Sequence, residues 1–116
     1  MGKLFYGNAA EGMVIPDDVL AHLKIVTTTK LRRNESFTVS WRSDADGTPG
    51  RTTIWMQSAI PLRFAFDGVE PETLDPARLR VMSERASSSG GLTLDIEPAA
   101  TAPASATPVA MAGVAA

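Results

Sequence analysis

The residue pattern predicts a small α+β domain: two layers, with a mostly antiparallel sheet carrying two helices on one face. Three observations predict it. Apolar residues recur at every second position in several short runs, Phe37, Val39 and Trp41 among them. They recur at intervals of three and four in two longer runs, one after Pro16 and one after Asp75. Finally, all 11 Lys+Arg and all 13 Asp+Glu of the 116 residues fall between Lys3 and Glu97. The folding unit is therefore expected at 1–97. Residues 98–116, uncharged and interrupted by Pro98, Pro103 and Pro108, have too little side-chain surface to offset the entropy of ordering and read as a flexible Ala/Pro-rich tail.

Lys3 to Tyr6 and Met13 to Ile15 are short apolar segments around Gly7, Asn8 and Gly12, which predicts a hairpin. From Asp17 the period lengthens. Leu20, Leu23, Val26 or Thr27, and Leu31 share one helical face, Asp17 is placed to cap the start, and Lys30, Arg32 and Arg33 crowd the last turn, where cations suit the helix dipole. Phe37, Val39 and Trp41 then alternate with Thr38, Ser40 and Arg42 as a half-buried strand. Ser43 to Gly50, with Asp46-Gly47 and Pro49-Gly50, reads as the turn of a hairpin into a strand from Arg51 to Ser58. Leu62, Phe64 and Phe66 form a third alternating strand. Asp75 followed by Pro76 opens a second helix with Leu79, Met82 and Ala86 on its apolar side, and Ser87-Ser88-Ser89-Gly90-Gly91 ends it. Leu92, Leu94 and Ile96 close the fold as a strand, giving the order ββαβββαβ. One apolar side per strand and two amphipathic helices are most simply buried as helices on a sheet.

Composition excludes more than it selects. A formal net charge of -2, a pI of about 5.3 and a mean hydropathy of +0.00 describe an ordinary soluble chain rather than a basic arm or a membrane protein. Neither a secretory leader nor a membrane-spanning run is visible, so a cytoplasmic protein that does not enter membranes is expected. Without cysteine there is no disulfide framework and no thiolate chemistry. With His22 as the only histidine, multi-histidine zinc sites cannot be built. His22 lies off the strongest apolar face and reads as a surface or boundary residue, and no Gly-x-Ser-x-Gly accompanies it. Asp44, Asp46 and Gly47 lack the glutamate that would close a calcium loop, and Gly47 to Thr52 lacks the spacing, lysine and following helix of a phosphate loop. No catalytic, metal or cofactor residue is nominated.

The outer face of the central strands stands above this background. If Phe37, Val39 and Trp41 point inward with Ile54, Met56, Leu62, Phe64 and Phe66, then Arg42, Trp55 and Arg63 point outward, with Arg51 at the hairpin mouth. An indole among three guanidiniums can stack a base or an aromatic and pair with phosphates or carboxylates. Arg42, Arg51, Trp55 and Arg63 are the expected partner-binding residues, and the partner is either a protein or single-stranded nucleic acid. Net charge -2 weighs against the latter, because backbone binding needs a positive footprint.

Met1-Gly2-Lys3-Leu4-Phe5-Tyr6-Gly7, Leu20 to Lys24, Lys30 to Phe37, Gly50 to Trp55 and Ile60 to Phe64 together resemble a family of small actinobacterial proteins of unknown function commonly labelled "ATP-dependent DNA ligase". The likeness spans nearly all of 1–97 and implies an association with DNA repair. A lysyl-adenylate ligase needs Lys-x-Asp-Gly. None of Lys3, Lys24 and Lys30 begins that tetrapeptide. The expected function is thus a non-catalytic binding module. The competing expectations are an assembly protein, oligomeric through its tail, and, behind both, an enzyme.

Overall fold

The computed structural model describes residues 1–45 and 48–96. Of the expected features, the Asp46–Gly47 turn and the Ala/Pro-rich segment 98–116 lie outside the described residues. The elements are β1 (Gly2–Tyr6), β2 (Met13–Ile15), α1 (Asp17–Arg32), β3 (Phe37–Ala45), β4 (Thr48–Met56), β5 (Leu62–Ala65), α2 (Pro76–Ala86) and β6 (Leu92–Leu94). This is the α+β fold with the ββαβββαβ order that alternation and helical spacing predict.

The strands divide into two three-stranded sheets, ordered β2-β1-β5 and β4-β3-β6. All pairs are antiparallel except β3 with β6, which run parallel with Val39 opposite Leu92 and Trp41 opposite Leu94. Although β4 and β5 are neighbours in sequence, β5 crosses to β1, setting Phe5 opposite Arg63 and Tyr6 opposite Leu62. The Tyr6 hydroxyl donates to the Trp55 carbonyl at 2.6 Å and joins the two sheets at that corner. The β3–β4 hairpin is longer than its turn residues predict, because pairing continues to Ala45 opposite Thr48. Pro49 is tolerated inside β4 because β4 is an edge strand, where a missing N–H interrupts no ladder on its open side.

Between the sheets and the helices lies one core. It is built from Leu4 and Ile15 of the first hairpin, Leu20, Leu23 and Val26 of α1, Phe37 and Val39 of β3, Met56, Met82, and Leu92, Leu94 and Ile96. α1 packs on β1 and α2, while α2 also rests on β6 and β3. Where β1 meets α1 the backbones approach so closely that a Cβ at Gly2 would press on the Ala65 carbonyl and the Leu20 side chain, which explains glycine there.

Asp17 does not cap α1 through its own helix. Pro16 is the N-cap, without a side-chain bond, and the Asp17 carboxylate instead accepts from the backbone N–H groups of Asp67 and Gly68, each at 3.2 Å. Asp75 caps α2 as its sequence position predicts, accepting from Ala77 N at 3.0 Å. Among the described residues no helix is long and apolar enough to cross a membrane.

Candidate binding face and adjoining cleft

Antiparallel pairing fixes the outer face of the β3–β4 hairpin. Thr38 sits opposite Trp55, Ser40 opposite Thr53 and Arg42 opposite Arg51, while Phe37, Val39 and Trp41 face inward. Trp55 keeps 51% of its surface exposed, the outward position that alternation predicts. Beside it the Ser40 and Thr53 hydroxyls hydrogen-bond at 2.7 Å. Arg42 and Arg51 are both exposed and directly opposed, and like charges opposite one another repel.

Arg63 does not join this group. It belongs to β5 in the other sheet, and its guanidinium lies 4.0 Å from the centroid of the Phe5 ring, its cross-strand neighbour. Alternation correctly points Arg63 outward, but it cannot tell that β5 leaves β4 for β1. The cation–π contact is a local use of the charge, of the kind worth about 0.5–1 kcal/mol at an exposed site. Sequence reasoning therefore expected three guanidiniums around the indole; the structure puts Arg42 and Arg51 on its sheet face, with Arg51 four residues from Trp55 along β4, and Arg63 in the other sheet.

His22 also departs from expectation, for it is buried. Its Nδ1–H donates to the Asp18 carbonyl at 2.6 Å, and Nε2 accepts the Asp75 backbone N–H at 2.9 Å. An amide can only donate, so the second bond fixes the neutral ring with its proton on Nδ1. With both nitrogens occupied by backbone, the imidazole is a joint between α1 and the start of α2.

Next to Trp55 opens a cleft of about 400 Å³, bordered by Lys30, Glu35, Thr38, Trp55, Ser87 and Ser89 among others. Lys30 had only a helix-dipole role in the sequence. Here its side chain is 11% exposed, with Nζ donating to Glu35 Oε1 at 3.2 Å and, at short range, to Ser87 Oγ. The end of α1 produces this geometry. Asn34 takes a left-handed conformation (φ 61°), its N–H donates to the Leu31 carbonyl and the Glu35 N–H donates to the Lys30 carbonyl, so the chain folds Glu35 back over Lys30. The opposite wall is the serine run at the end of α2, held against β3 by Gly91. At φ 75°, Gly91 lies so near that any Cβ would overlap Thr38 Oγ1. Asn34 just past a helix and Gly-Gly after a serine run are the sequence signals that were available.

Charge is distributed unevenly along α1. Asp17, Asp18, Asp67, Glu70, Glu72 and Asp75 belong to the start of α1 and the 67–75 segment, which Asp17 and His22 tie to it. There the Met1 α-ammonium, hydrogen-bonded to Asp67, has its ionisation raised above the usual range. At the far end, the exposed Arg32 and Arg33 lie in the chain between the two cleft residues Lys30 and Glu35. Among the described residues no three His, Asp or Glu side chains form a metal-ligand group.

Comparison with curated proteins and with solved structures gave no match. A family model does match residues 1–97, the stretch that holds every described strand and helix, the Trp55 face and the cleft: the chain belongs to the family described as "Domain of unknown function (DUF7882)".

Proposed function

We propose that this domain is a non-catalytic binding module whose β3–β4 outer face docks an elongated anionic partner, with single-stranded nucleic acid favoured over an acidic protein segment. The observation that carries the reading is an indole half open to solvent on the same sheet face as two opposed arginines. Bases stack on such a ring whatever their identity, while the guanidiniums take the phosphates. The net charge of -2 is less of an objection than composition implies, since six of the acids gather at the opposite end of α1, and a local potential rather than the total steers a partner. The family resemblance supports an actinobacterial origin and a place near DNA repair, the missing Lys-x-Asp-Gly speaks against ligase chemistry, and we take the protein to be cytoplasmic.

The test is binding to oligo(dT) and to poly-glutamate at low and moderate salt, for the wild type and for Trp55→Ala. We expect oligo(dT) to bind and to weaken with salt, and Trp55→Ala to lose about 1–3 kcal/mol of affinity. Its stability should fall by no more than about 2 kcal/mol, the share expected for a ring that is half buried. Preference for poly-glutamate would transfer the face to a protein partner. A large loss of stability in Trp55→Ala would show the ring to be structural and end the proposal.

A further inference from the structure

We infer that the cleft between Lys30 and Trp55 is a seat for one nucleotide unit, its phosphate on the Lys30 ammonium and its base against the indole. The inference rests on the proposed nucleic-acid reading for the kind of ligand, but its observations are separate from the Arg42–Arg51 pair.

The Lys30 side chain is only 11% exposed, and the residue borders the cleft. Its present counter-charge is weakly anchored. Glu35 is 46% exposed at the side chain and follows the left-handed Asn34, so it can swing into water without disturbing a helix or strand. Glu35 therefore holds the position that an incoming phosphate would take. The Ser87 hydroxyl bonds the ammonium, and Ser36, Ser89 and Thr38 also line the cleft, so neutral hydroxyls are available there to bond phosphate oxygens without adding charge. Trp55, half exposed, is among the residues that complete the lining. A cavity of about 400 Å³ falls in the usual range for small ligands, about 300–1,000 Å³. A cation, several hydroxyl-bearing residues and an aromatic side chain bordering that volume fit a phosphate joined to a planar ring better than they fit either part alone.

The experiment titrates the intact chain with dTMP, thymidine, inorganic phosphate and oligo(dT), following tryptophan fluorescence and heat, and compares Lys30→Met and Glu35→Gln with the wild type. dTMP should bind more tightly than thymidine or phosphate. Lys30→Met should weaken dTMP about tenfold, the loss of a hydrogen bond to a charged group. Glu35→Gln should tighten it about threefold, by removing a competitor for the ammonium. A cleft that is only structural would show no gain in Glu35→Gln, and because Glu35 is exposed this variant keeps the test open if Lys30→Met does not fold. If dTMP binds no better than thymidine, or if neither variant shifts dTMP or oligo(dT), the inference is overturned. Oligo(dT) binding that depends on Trp55 but ignores Lys30 and Glu35 would overturn the cleft and leave the docking face. The predicted shifts with dTMP, but no oligo(dT) binding, would do the reverse, and no binding of either would end both.

Discussion

His22 and Lys30 are both buried polar side chains on the inner part of α1, and they have opposite fates. The imidazole is closed in: the Asp18 carbonyl takes its proton and the Asp75 amide fills its lone pair. The ammonium is bonded to one exposed carboxylate and one exposed hydroxyl, and it borders a cleft. A buried group whose partners are all backbone has no freedom left for a ligand. One whose partners are mobile side chains can exchange them. The comparison places a closed, structural side chain at the start of α1 and, at its end, the one on which the proposed binding rests.

The largest expected effect is at His22. His22→Ala leaves the Asp75 N–H unpaired and a hole between the helices, at a cost of about 3 kcal/mol. Thermal melting should fall by roughly 10–20 °C for a domain of this size. The folded fraction should bind oligo(dT) as the wild type does; reduced affinity in folded protein would break the division between the two ends of the helix. Gly91→Ala comes next. Its left-handed backbone and the overlap with Thr38 Oγ1 should cost about 1–3 kcal/mol in urea unfolding. Since the same contact holds the serine wall in place, dTMP affinity should fall as well, and an unaffected affinity would show that the wall does not shape the cleft.

Lys30→Met, by contrast, should alter the stability read from urea unfolding by only about 1 kcal/mol, because it exchanges a half-exposed ion pair for apolar contact. The smallest effect belongs to Thr27, buried on the same helix with a hydroxyl that finds no partner among the described residues. Thr27→Val keeps the branched shape and removes the unsatisfied oxygen, so the urea midpoint should rise by the equivalent of about 0.5–1 kcal/mol. A fall would mean that a water serves that oxygen.

Much of the architecture was legible because it is local. The alternation of Phe37, Val39 and Trp41, the spacing of Leu20, Leu23 and Val26, and the Asp75-Pro76 start of α2 each report their own element, and each is observed where expected. The exposed Trp55 was legible for the same reason, as it follows from strand parity alone. Arg63 was not. Its outward direction is local, but its partner Phe5 lies far away in the chain, and β5 could have paired with β4 or with β1 on pattern alone. His22 misled because its apolar face is weak while its burial depends on α2 arriving at that spot with an unpaired N–H.

What the residues by themselves determined is the succession of strands and helices and which side of each is apolar, since side-chain direction repeats every two or 3.6 residues and needs no distant contact. Only the tertiary structure decided that there are two sheets rather than one, that Arg63 and Trp55 belong to different sheets, and that Lys30 meets Ser87 across 57 residues of chain. Those outcomes depend on which elements pack together, and packing is settled by burial over the whole core rather than by any short stretch of sequence.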